Sequence, residues 1–390
     1  MREHDLVIFG ATGFTGRLVA EYIKTRGEPV RWAIAGRNRD KLAALGLGVP
    51  VLIADAHDRK ALDAIARAAT VICTTVGPFS RYGSDLVAAC AEHGTHYCDL
   101  TAEVHWMREM IDKHHIRARA TGARIVHACG FDSIPSDLGV FLTQQEMVKR
   151  FGKPAHEITA LYGESSGGMS GGTAASGLEI AKAAEDRAIR RAVGHPHALD
   201  PDPTAAHDGV PDEARIGWEP RLRMFTLPFF MAFSNTRVVR RGHALAGFPW
   251  GWDFRYREVM SAPGNARGLG MAVGITAGLA AFAAVMKRPA LRERLAKRLP
   301  QPGEGPSLEK RTRGHWKVRF LADDKLVYIA ADAHGDPGYA STAKMLGESA
   351  LCLARDPLTS PGGILKPAFA MGNALAERLR AAGLTFAPKD

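Results

Sequence analysis

The chain has 390 residues, of which 46% are hydrophobic, and it carries a formal net charge of +10. This length is enough for two domains, or for one large domain with an insertion. The five cysteines form no CxxC pair, so we expect buried thiols, a reducing compartment and no metal site. A pI near 9.5 is also typical of nucleic-acid-binding proteins, but the basic residues lack interleaved aromatics and a binding motif, so we expect no nucleic-acid partner.

The first forty residues contain the pattern of a dinucleotide-binding turn. Apolar residues 6–9 and 32–36 are predicted strands, and Gly10-Ala-Thr-Gly-Phe-Thr-Gly16 opens a predicted helix over residues 17–24. In such a turn the first glycine permits the tight bend and the second lets backbone N–H groups approach the phosphates. The third lets helix and strand pack closely. The GxxGxxG spacing is weak evidence alone, but its strand–turn–helix–strand context predicts a dinucleotide site.

The residue that ends the second predicted strand indicates which dinucleotide binds. An NAD site has a carboxylate there, roughly 20 residues past the turn, to accept hydrogen bonds from the ribose 2′-hydroxyl. This chain has Arg37 at that position. A guanidinium binds a 2′-phosphate that a carboxylate would repel, so we predict NADP(H); the alternative is a solvated basic turn. The predicted cofactor-binding residues are Gly10, Thr12, Gly13, Phe14, Thr15, Gly16, Arg37, Asn38, Lys41, Asp55, Thr75, Gly77 and Pro78.

Strands and helices continue to alternate up to residue 145. Further apolar strands are predicted at residues 49–55, 70–76, 96–100 and 124–129, with helices between them. This alternation predicts an α/β fold with a Rossmann-type doubly wound parallel sheet. Ligands of such sheets bind outside the carboxyl ends of the strands. The loops expected to rim this crevice are 10–16, 37–41, 55–58, 77–83, 101–103 and 130–137.

Short motifs between residues 5 and 180 form a characteristic set. They are Gly10-Ala-Thr-Gly-Phe-Thr-Gly16, Ala35-Gly-Arg37, Thr75-Val-Gly-Pro-Phe79, Tyr97-Cys-Asp-Leu-Thr101, Gly130-Phe-Asp-Ser-Ile-Pro-Ser-Asp137 and Gly171-Gly-Thr173, with a weaker echo at Gly362-Gly-Ile-Leu-Lys-Pro367. The set resembles the saccharopine dehydrogenase-like oxidoreductases, which include mycobacterial trans-acting enoyl reductases and the animal saccharopine dehydrogenase-like protein. This resemblance implies an NADP-binding domain, a second α+β domain, and membrane or lipid association in several relatives.

A different pattern begins near residue 146, and we predict a second, α+β domain over residues 146–338. The C-terminal residues 339–390 are expected to pack back on the first domain, residues 1–145. The second domain's predicted elements are a strand at 156–162, a helix at 176–191, a long exposed loop or lid at 195–220, and an antiparallel hairpin at 315–320 and 325–330.

An uncharged stretch of 19 residues, 268–286, lies inside the second domain. It is long enough to span a bilayer, but alanine and glycine dominate it, so an interfacial helix with about two buried turns fits better. Residues 287–319 follow with 11 Lys or Arg against three Glu. Adjacent apolar and basic stretches attract anionic membrane surfaces, so 268–319 is a predicted membrane contact. The alternative is a buried helix followed by a solvated basic face.

The expected chemistry is NADPH-dependent reduction of a lipid-like, acyl or polyketide substrate, free or carrier-bound. Trans-acting enoyl reduction in lipid or glycolipid biosynthesis is one form of it. The Tyr-x-x-x-Lys pair of short-chain dehydrogenases is absent from the sequence. Residues that could face the nicotinamide are Tyr82, Cys98, Asp132 and Ser133, although Ser133 could instead cap a helix and Cys98 could simply pack in the core.

Two other functions remain open on the sequence alone. One is a non-catalytic NADP-binding sensor or scaffold, against which the large second domain argues. The other is an amino-acid-linked dehydrogenase of the saccharopine type, whose charged substrate would require matched arginines that the sequence does not identify. Because no signal-peptide pattern precedes the first predicted strand, we expect a cytoplasmic protein, peripheral to the inner face of a membrane if 268–319 binds lipid.

Overall fold

A computed structural model describes residues 2–166, 171–202, 210–299 and 304–389, and these form two seven-stranded sheets with flanking helices. The strands are β1 His4–Phe9, β2 Trp32–Gly36, β3 Val51–Ile53, β4 Ala69–Thr74, β5 His96–Cys98, β6 Arg124–Val126, β7 Glu157–Ser165, β8 Gly217–Glu219, β9 Met224–Pro228, β10 Arg255–Pro263, β11 Trp316–Ala322, β12 Lys325–Asp332, β13 Gly363–Leu365 and β14 Thr385–Pro388. The helices are α1 Phe14–Arg26, α2 Arg39–Ala43, α3 Arg59–Ala68, α4 Phe79–Tyr82, α5 Ser84–His93, α6 Val104–Thr121, α7 Ile134–Phe151, α8 Gly171–Ala183, α9 Arg187–Gly194, α10 Ala232–Leu245, α11 Ala266–Met286, α12 Pro289–Ala296, α13 Leu308–Thr312, α14 Thr342–Arg355 and α15 Pro367–Ala381, with a π-turn at Pro337–Ser341.

The first sheet is parallel throughout and has the strand order β13-β6-β5-β4-β1-β2-β3. Its central strands are buried on both faces, as continuously apolar parallel strands should be. The strand order changes direction between β1 and β4, because β2 and β3 follow on one side of β1 and β4, β5 and β6 on the other. Ligands of doubly wound sheets bind at such a switch point. The predicted Rossmann-type fold is confirmed, with β13 as an extra edge strand from the C-terminal region.

The two faces of the first sheet belong to different hydrophobic cores. Val7 and Phe9 pack toward α3, α5 and α6. Leu6 and Ile8 face a core that continues through α7 into the second sheet. Alternate residues of one strand therefore connect the cofactor domain to the rest of the protein, since successive side chains point to opposite faces.

The second sheet is mixed, with the order β14-β12-β11-β7-β10-β9-β8 and one parallel pair, β7 with β10. The predicted hairpin is confirmed as β11 and β12, paired from Trp316 with Asp332 to Ala322 with Lys325. Helix α7 lies across this sheet, and Gly139 allows the close approach. A Cβ at Gly139 would lie 2.1 Å from the Phe320 ring.

The C-terminal region is shared between the two sheets, which corrects the prediction that all of 339–390 packs on the first domain. β13 pairs in parallel with β6, and α14 packs on α1 and β4. β14, however, pairs with β12 at the edge of the second sheet. A short strand at a chain end carries no local signal for its partner, so only the tertiary structure could assign it.

Two other predicted segments differ in the structure. The helix predicted at 176–191 is divided into α8 and α9, where the Asp186 carboxylate caps α9 by accepting from the backbone N–H groups of Ala188 and Ile189. The loop predicted to be exposed at 195–220 contains the buried residues 197–200, where the Arg241 and Arg108 side chains donate to its backbone carbonyls. Residues 167–170 and 203–209 and the side chains of the Gly171-Gly-Thr173 motif lie outside the described residues.

The apolar helix α11 is almost wholly exposed. Its buried residues are Gly268 and Ala272, while Leu269, Met271, Val273 and Phe282 are between 43% and 52% exposed. Both the buried-helix alternative and the expected two buried turns are therefore wrong. With a mean hydropathy of 2.0 over 18 residues, α11 is the one helix in the described part that is long and apolar enough to cross a membrane, which alone is weak evidence for a span.

Candidate active site

The glycine turn has the geometry that a dinucleotide diphosphate requires. Gly10 adopts φ +93, a conformation that other residues rarely adopt, and a Cβ at Gly16 would lie 2.2 Å from the Gly10 carbonyl oxygen. Gly13 differs from both, because its backbone is extended and a Cβ there would contact only the Gly10 oxygen, at 3.4 Å. The outer side of Gly13 is exposed and faces the space that a ligand would occupy.

The N-terminus of α1 is open to an anion. Gly13 occupies the N-cap position without a side chain to bond the first-turn N–H groups, and the first turn contains no acidic residue. These N–H groups and the positive end of the helix dipole favour a bound phosphate. Together with the close approach allowed by Gly16, this arrangement fits the diphosphate of a dinucleotide.

We expect Gly13→Val to abolish NADPH binding and to leave the fold intact. The substitution adds bulk where phosphate must touch backbone, but the protein itself leaves room for a Cβ at this position. NADPH fluorescence titration measures the binding, and thermal melting measures the fold. Gly16→Val is the contrasting variant, since it should also lower the melting temperature. Normal NADPH affinity in the Gly13 variant would show that the turn is only structural.

The residues predicted to recognise the 2′-phosphate follow β2 on the exposed rim. Arg37 and Lys41 are exposed, and neither side chain has an ion-pair partner among the described residues. The Asn38 side chain instead caps α2, accepting from the Lys41 N–H at 2.9 Å. Asp55 is exposed after β3 and accepts from the His57 N–H at 3.0 Å. The two basic side chains are thus free to bind a phosphate, whereas Asn38 and Asp55 already shape their own loops.

The loop after β4 closes the other side of the glycine turn. Thr75 packs against Gly16 and donates to the Gly10 carbonyl at 3.4 Å, and the Gly77–Pro78 peptide bond is cis. The buried Glu103 carboxylate accepts from the backbone N–H groups of Phe79 and Ser80 at 2.8 and 3.0 Å. Sequence reasoning missed Glu103, which lies beyond β5 and fixes this loop from a neighbouring crevice loop.

A polar network faces the crevice where the loop 130–137 meets the second domain. Asp132 is half-buried and hydrogen-bonds to none of the described residues, and burial raises the pKa of its carboxyl to about 6. Burial raises the pKa of the nearby Tyr162 hydroxyl well above its usual range, and the charges of Glu258 and Asp132 raise it further. The Tyr162 hydroxyl lies 2.5 Å from the Ser136 hydroxyl, and its ring stacks on Phe229 with centroids 4.1 Å apart.

Glu258 forms the buried end of the same network. Its carboxylate accepts from the Tyr256 hydroxyl at 2.6 Å and from the Asn235 amide at 3.0 Å. Burial raises the pKa of Glu258 to about 7, partly offset by hydrogen bonds from Tyr256, Ser136 and Asn235. Two carboxyl groups with raised pKa values therefore flank Tyr162, which is the kind of environment found around catalytic acids.

A second buried cluster lies below the crevice at the carboxyl ends of β5, β6 and β13. The Asp99 carboxylate contacts the Tyr97 hydroxyl at 2.9 Å and His127 Nδ1 at 2.7 Å. Lys366 is fully buried with Nζ 3.0 Å from the Met107 sulfur, and burial lowers the pKa of its amine to about 7. Burial raises the pKa of the neighbouring Asp137 to about 7. These groups support the crevice loops from beneath.

The four candidate catalytic residues differ in burial and in position in the structure. Asp132 lies in the crevice network, and Tyr82 is half-buried on the rim, with its ring centroid 5.4 Å from that of His57. Cys98 is fully buried in the core, where burial raises the pKa of its thiol well above the usual range, so of its two alternatives the structure favours packing in the core. Ser133 is also buried, and its hydroxyl donates to Asn235 at 3.0 Å instead of capping α7.

His93 and His96, which are spaced as HxxH, both bond other groups of the protein. His96 Nδ1 accepts from the Arg124 N–H at 3.0 Å. His93 lies with Asp63 and Glu92 in a group close enough to hold an ion, but Arg59 bonds both carboxylates. The ion pairs explain this cluster without a metal.

A parallel sheet with an open glycine turn, next to an acidic network that joins the loop 130–137 to the second domain, is typical of dinucleotide-dependent oxidoreductases. Residues 6–126 match the family described as the saccharopine dehydrogenase NADP binding domain. A trans-acting enoyl reductase of Mycobacterium ulcerans is 40% identical over 98% of this chain and 97% of its own. A Mycobacterium tuberculosis protein provisionally given that name is 42% identical over the same shares. The chain therefore belongs to the trans-acting enoyl reductase family of saccharopine dehydrogenase-like, NADP-dependent oxidoreductases.

A solved structure supports the fold across the whole chain. Apo saccharopine dehydrogenase (L-Glu forming) from Saccharomyces cerevisiae aligns with a TM-score of 0.53, covering 98% of this chain and 99% of its own. The two sequences are only 14% identical, so this likeness concerns architecture and not substrate.

Proposed function

We propose that this protein is an NADPH-dependent enoyl reductase that acts in trans on carrier-bound acyl or polyketide chains in lipid or glycolipid biosynthesis. The names of full-length relatives support this proposal. The observation that carries it is the aromatic surface beside this network, where the Tyr162 ring stacks on Phe229 and the exposed Phe230 ring contacts Phe229 with centroids 5.4 Å apart. Such an apolar surface suits a neutral acyl chain.

The network also offers a proton source for the reduction. Bound NADPH supplies a hydride to the β-carbon of the enoyl group, and the α-carbon must then receive a proton. We propose that Asp132 donates it, because its half-buried carboxyl hydrogen-bonds to none of the described residues and burial raises its pKa to about 6. The Ser136–Tyr162 hydrogen bond beside it positions the aromatic wall against which the acyl chain would lie.

The two alternatives have less support from these contacts. An amino-acid-linked dehydrogenase of the saccharopine type binds several carboxylates, which the acidic groups Asp132 and Glu258 would repel. A non-catalytic NADP sensor needs no buried acid facing the crevice. The relatives' shared name further favours enoyl reduction.

An NADPH-oxidation assay with a substrate panel tests the proposal. One arm contains α,β-unsaturated acyl thioesters of increasing chain length, on acyl carrier protein and on pantetheine; the other contains lysine and glutamate derivatives. We expect turnover only in the first arm, with a preference for the carrier-bound form. Turnover of the amino-acid derivatives alone would replace the proposal with the saccharopine-type reaction, and NADPH binding without turnover in either arm would favour the sensor.

We further propose that α11 lies in the interface of an anionic membrane. Its N-terminal half packs on β9 and β10, and Arg292 of α12 donates to Glu185 after α8 at 2.5 Å. A span would have to break these contacts, whereas an interfacial helix would keep them. The basic residues Lys287, Arg288, Lys297 and Arg298 follow the exposed apolar face and would attract anionic headgroups at the cytoplasmic side.

We expect the protein to co-sediment with phosphatidylserine-containing vesicles at low salt and to dissociate in part at high salt. Each basic residue near the surface contributes about 1 kcal/mol, which salt screens, while the apolar contact persists. Replacing Lys287, Arg288, Lys297 and Arg298 by glutamine should weaken vesicle binding strongly and leave NADPH affinity unchanged. A protein that stays in the supernatant at low salt would contradict a membrane role for α11.

A further inference from the structure

The basic segment after α12 is not uniformly exposed, because its second part covers the start of α1. Gly305 lies so close to the Phe14 ring that a Cβ there would approach it to 2.5 Å. The Arg311 guanidinium carbon lies 5.5 Å from the centroid of the same ring. Tyr339 contacts Phe14 edge-on from another side, with centroids 5.1 Å apart. Phe14 is the first residue of α1, so these groups surround the diphosphate end of the cofactor site.

Helix α13 is anchored in this position. The Asp336 N–H donates to the Arg311 carbonyl at 2.9 Å, and a Cβ at Gly314 would lie 2.3 Å from the Asp336 Cα. The Ser307 hydroxyl caps the helix by accepting from the Lys310 N–H at 3.4 Å. The segment therefore packs against the turn before α14 and holds Arg311 over Phe14.

The Arg311 side chain has no hydrogen-bond partner among the described residues, although its Nε is buried. Burial raises the pKa of the nearby Asp336 carboxyl, and the Arg311 charge offsets this in part. Asp336 itself accepts from the Ala340 N–H at 2.9 Å. Arg313, two residues on, behaves differently: it is exposed and pairs with Glu309 at 2.8 Å. A buried guanidinium nitrogen without an acceptor is costly unless a ligand supplies one.

We propose that Arg311 is a cofactor-binding residue of the second domain, whose guanidinium bonds the diphosphate of NADP(H) at the N-terminus of α1. The open first turn and Arg311 both adjoin Phe14, and neither is hydrogen-bonded to a carboxylate among the described residues. A guanidinium can bond two phosphate oxygens at once through its fork of N–H groups. The inference concerns cofactor binding alone and does not depend on which substrate is reduced.

Cofactor titrations with three arginine variants distinguish the diphosphate from the 2′-phosphate. NADPH and NADH share the diphosphate, but only NADPH has the 2′-phosphate. We expect Arg311→Ala to weaken both cofactors by the same factor, about 10-fold or more, the loss of charge-assisted hydrogen bonds. Arg37→Ala should weaken NADPH and leave NADH unchanged. Arg313→Ala, the matched control in the same segment, should change neither affinity. Intrinsic fluorescence titration gives the dissociation constants without any turnover.

Two results would overturn the proposal. One is an Arg311→Ala protein that binds both cofactors as tightly as the Arg313 variant. The other is a loss for NADPH alone, which would assign Arg311 to the 2′-phosphate. If Arg311→Ala melts early, Arg311→Lys decides the question, since it keeps the charge without the planar fork. We expect Arg311→Lys to bind both cofactors more weakly than the wild type does, but more tightly than a variant without the charge. Wild-type affinity in Arg311→Lys would reject the assignment.

Discussion

Asp132→Asn is expected to lower the rate of enoyl reduction by about 10²–10⁴-fold, with little change in NADPH affinity. A positioned general acid contributes a factor of this size, and an amide has no carboxylic proton to donate. Asp132 is half-buried in the crevice and has no hydrogen-bond partner among the described residues, so the substitution should disturb few contacts. The rate is measured as NADPH oxidation with the best carrier-bound enoyl thioester, and the affinity by fluorescence titration.

The pH profile separates this role from a structural one. Burial raises the pKa of Asp132 to about 6, so its protonated form is the majority below that pH and decreases tenfold per unit above it. The wild-type rate should therefore fall as pH rises beyond about 6, and this limb should be missing in the Asn variant. Ser133→Ala is the neighbouring control, because it removes only the bond to Asn235 and should keep the limb. An unchanged rate and profile in Asp132→Asn would reject it as the proton donor.

Asp99→Ala is expected to destabilise the folded protein by about 3–5 kcal/mol, as the loss of a buried charged partner typically does. The fully buried carboxylate bonds the Tyr97 hydroxyl and His127 Nδ1, and it accepts from the backbone N–H groups of Thr101 and Ala128, both at 3.1 Å. The variant leaves these groups without their acceptor. Urea unfolding should show a lower midpoint with an unchanged slope.

An exposed aspartate provides the control for this loss. Asp112 is 62% exposed and pairs with Arg108 one helical turn away, so Asp112→Ala should change the free energy of unfolding by no more than about 0.5 kcal/mol. If Asp99→Ala cost as little as this, the buried cluster would not support the crevice loops. Ala128 adopts φ +67, and its backbone N–H donates to Asp99. Asp99→Ala should therefore disturb the crevice loop that follows Ala128 and weaken NADPH binding.

The glycine turn, and the position of Arg37 at the end of β2, could be predicted from the sequence because their signals are local. A tight turn, a close helix–strand contact and a basic residue at the end of the next strand all fall within 40 residues. The alternation of apolar strands and helices likewise predicted the parallel sheet. Element ends were less accurate: strand β6 ends at Val126, where the prediction extended to residue 129.

The acidic network could not be predicted, because its members are distant in the chain. Ser133 meets Asn235, which is 102 residues away, and Asn235 meets Glu258. Strand alternation shows that residues of β7 and β10 share a face, but not that this face meets the loop 130–137. For Cys98 the sequence left two positions open, since a residue near a strand end can face the crevice or the core, and the structure buries it in the core.

The sequence by itself determined the cofactor class and the first sheet, because both depend on local backbone requirements and on apolar periodicity. The tertiary structure decided the environment of each polar group. It separated Asp132 from Cys98 by burial, and it brought Arg311 from a basic run to the start of α1. It also left α11 exposed, although its composition would equally suit a core helix. Burial is a property of the whole packed chain, so residues with the same local pattern acquire different chemistry according to what covers them.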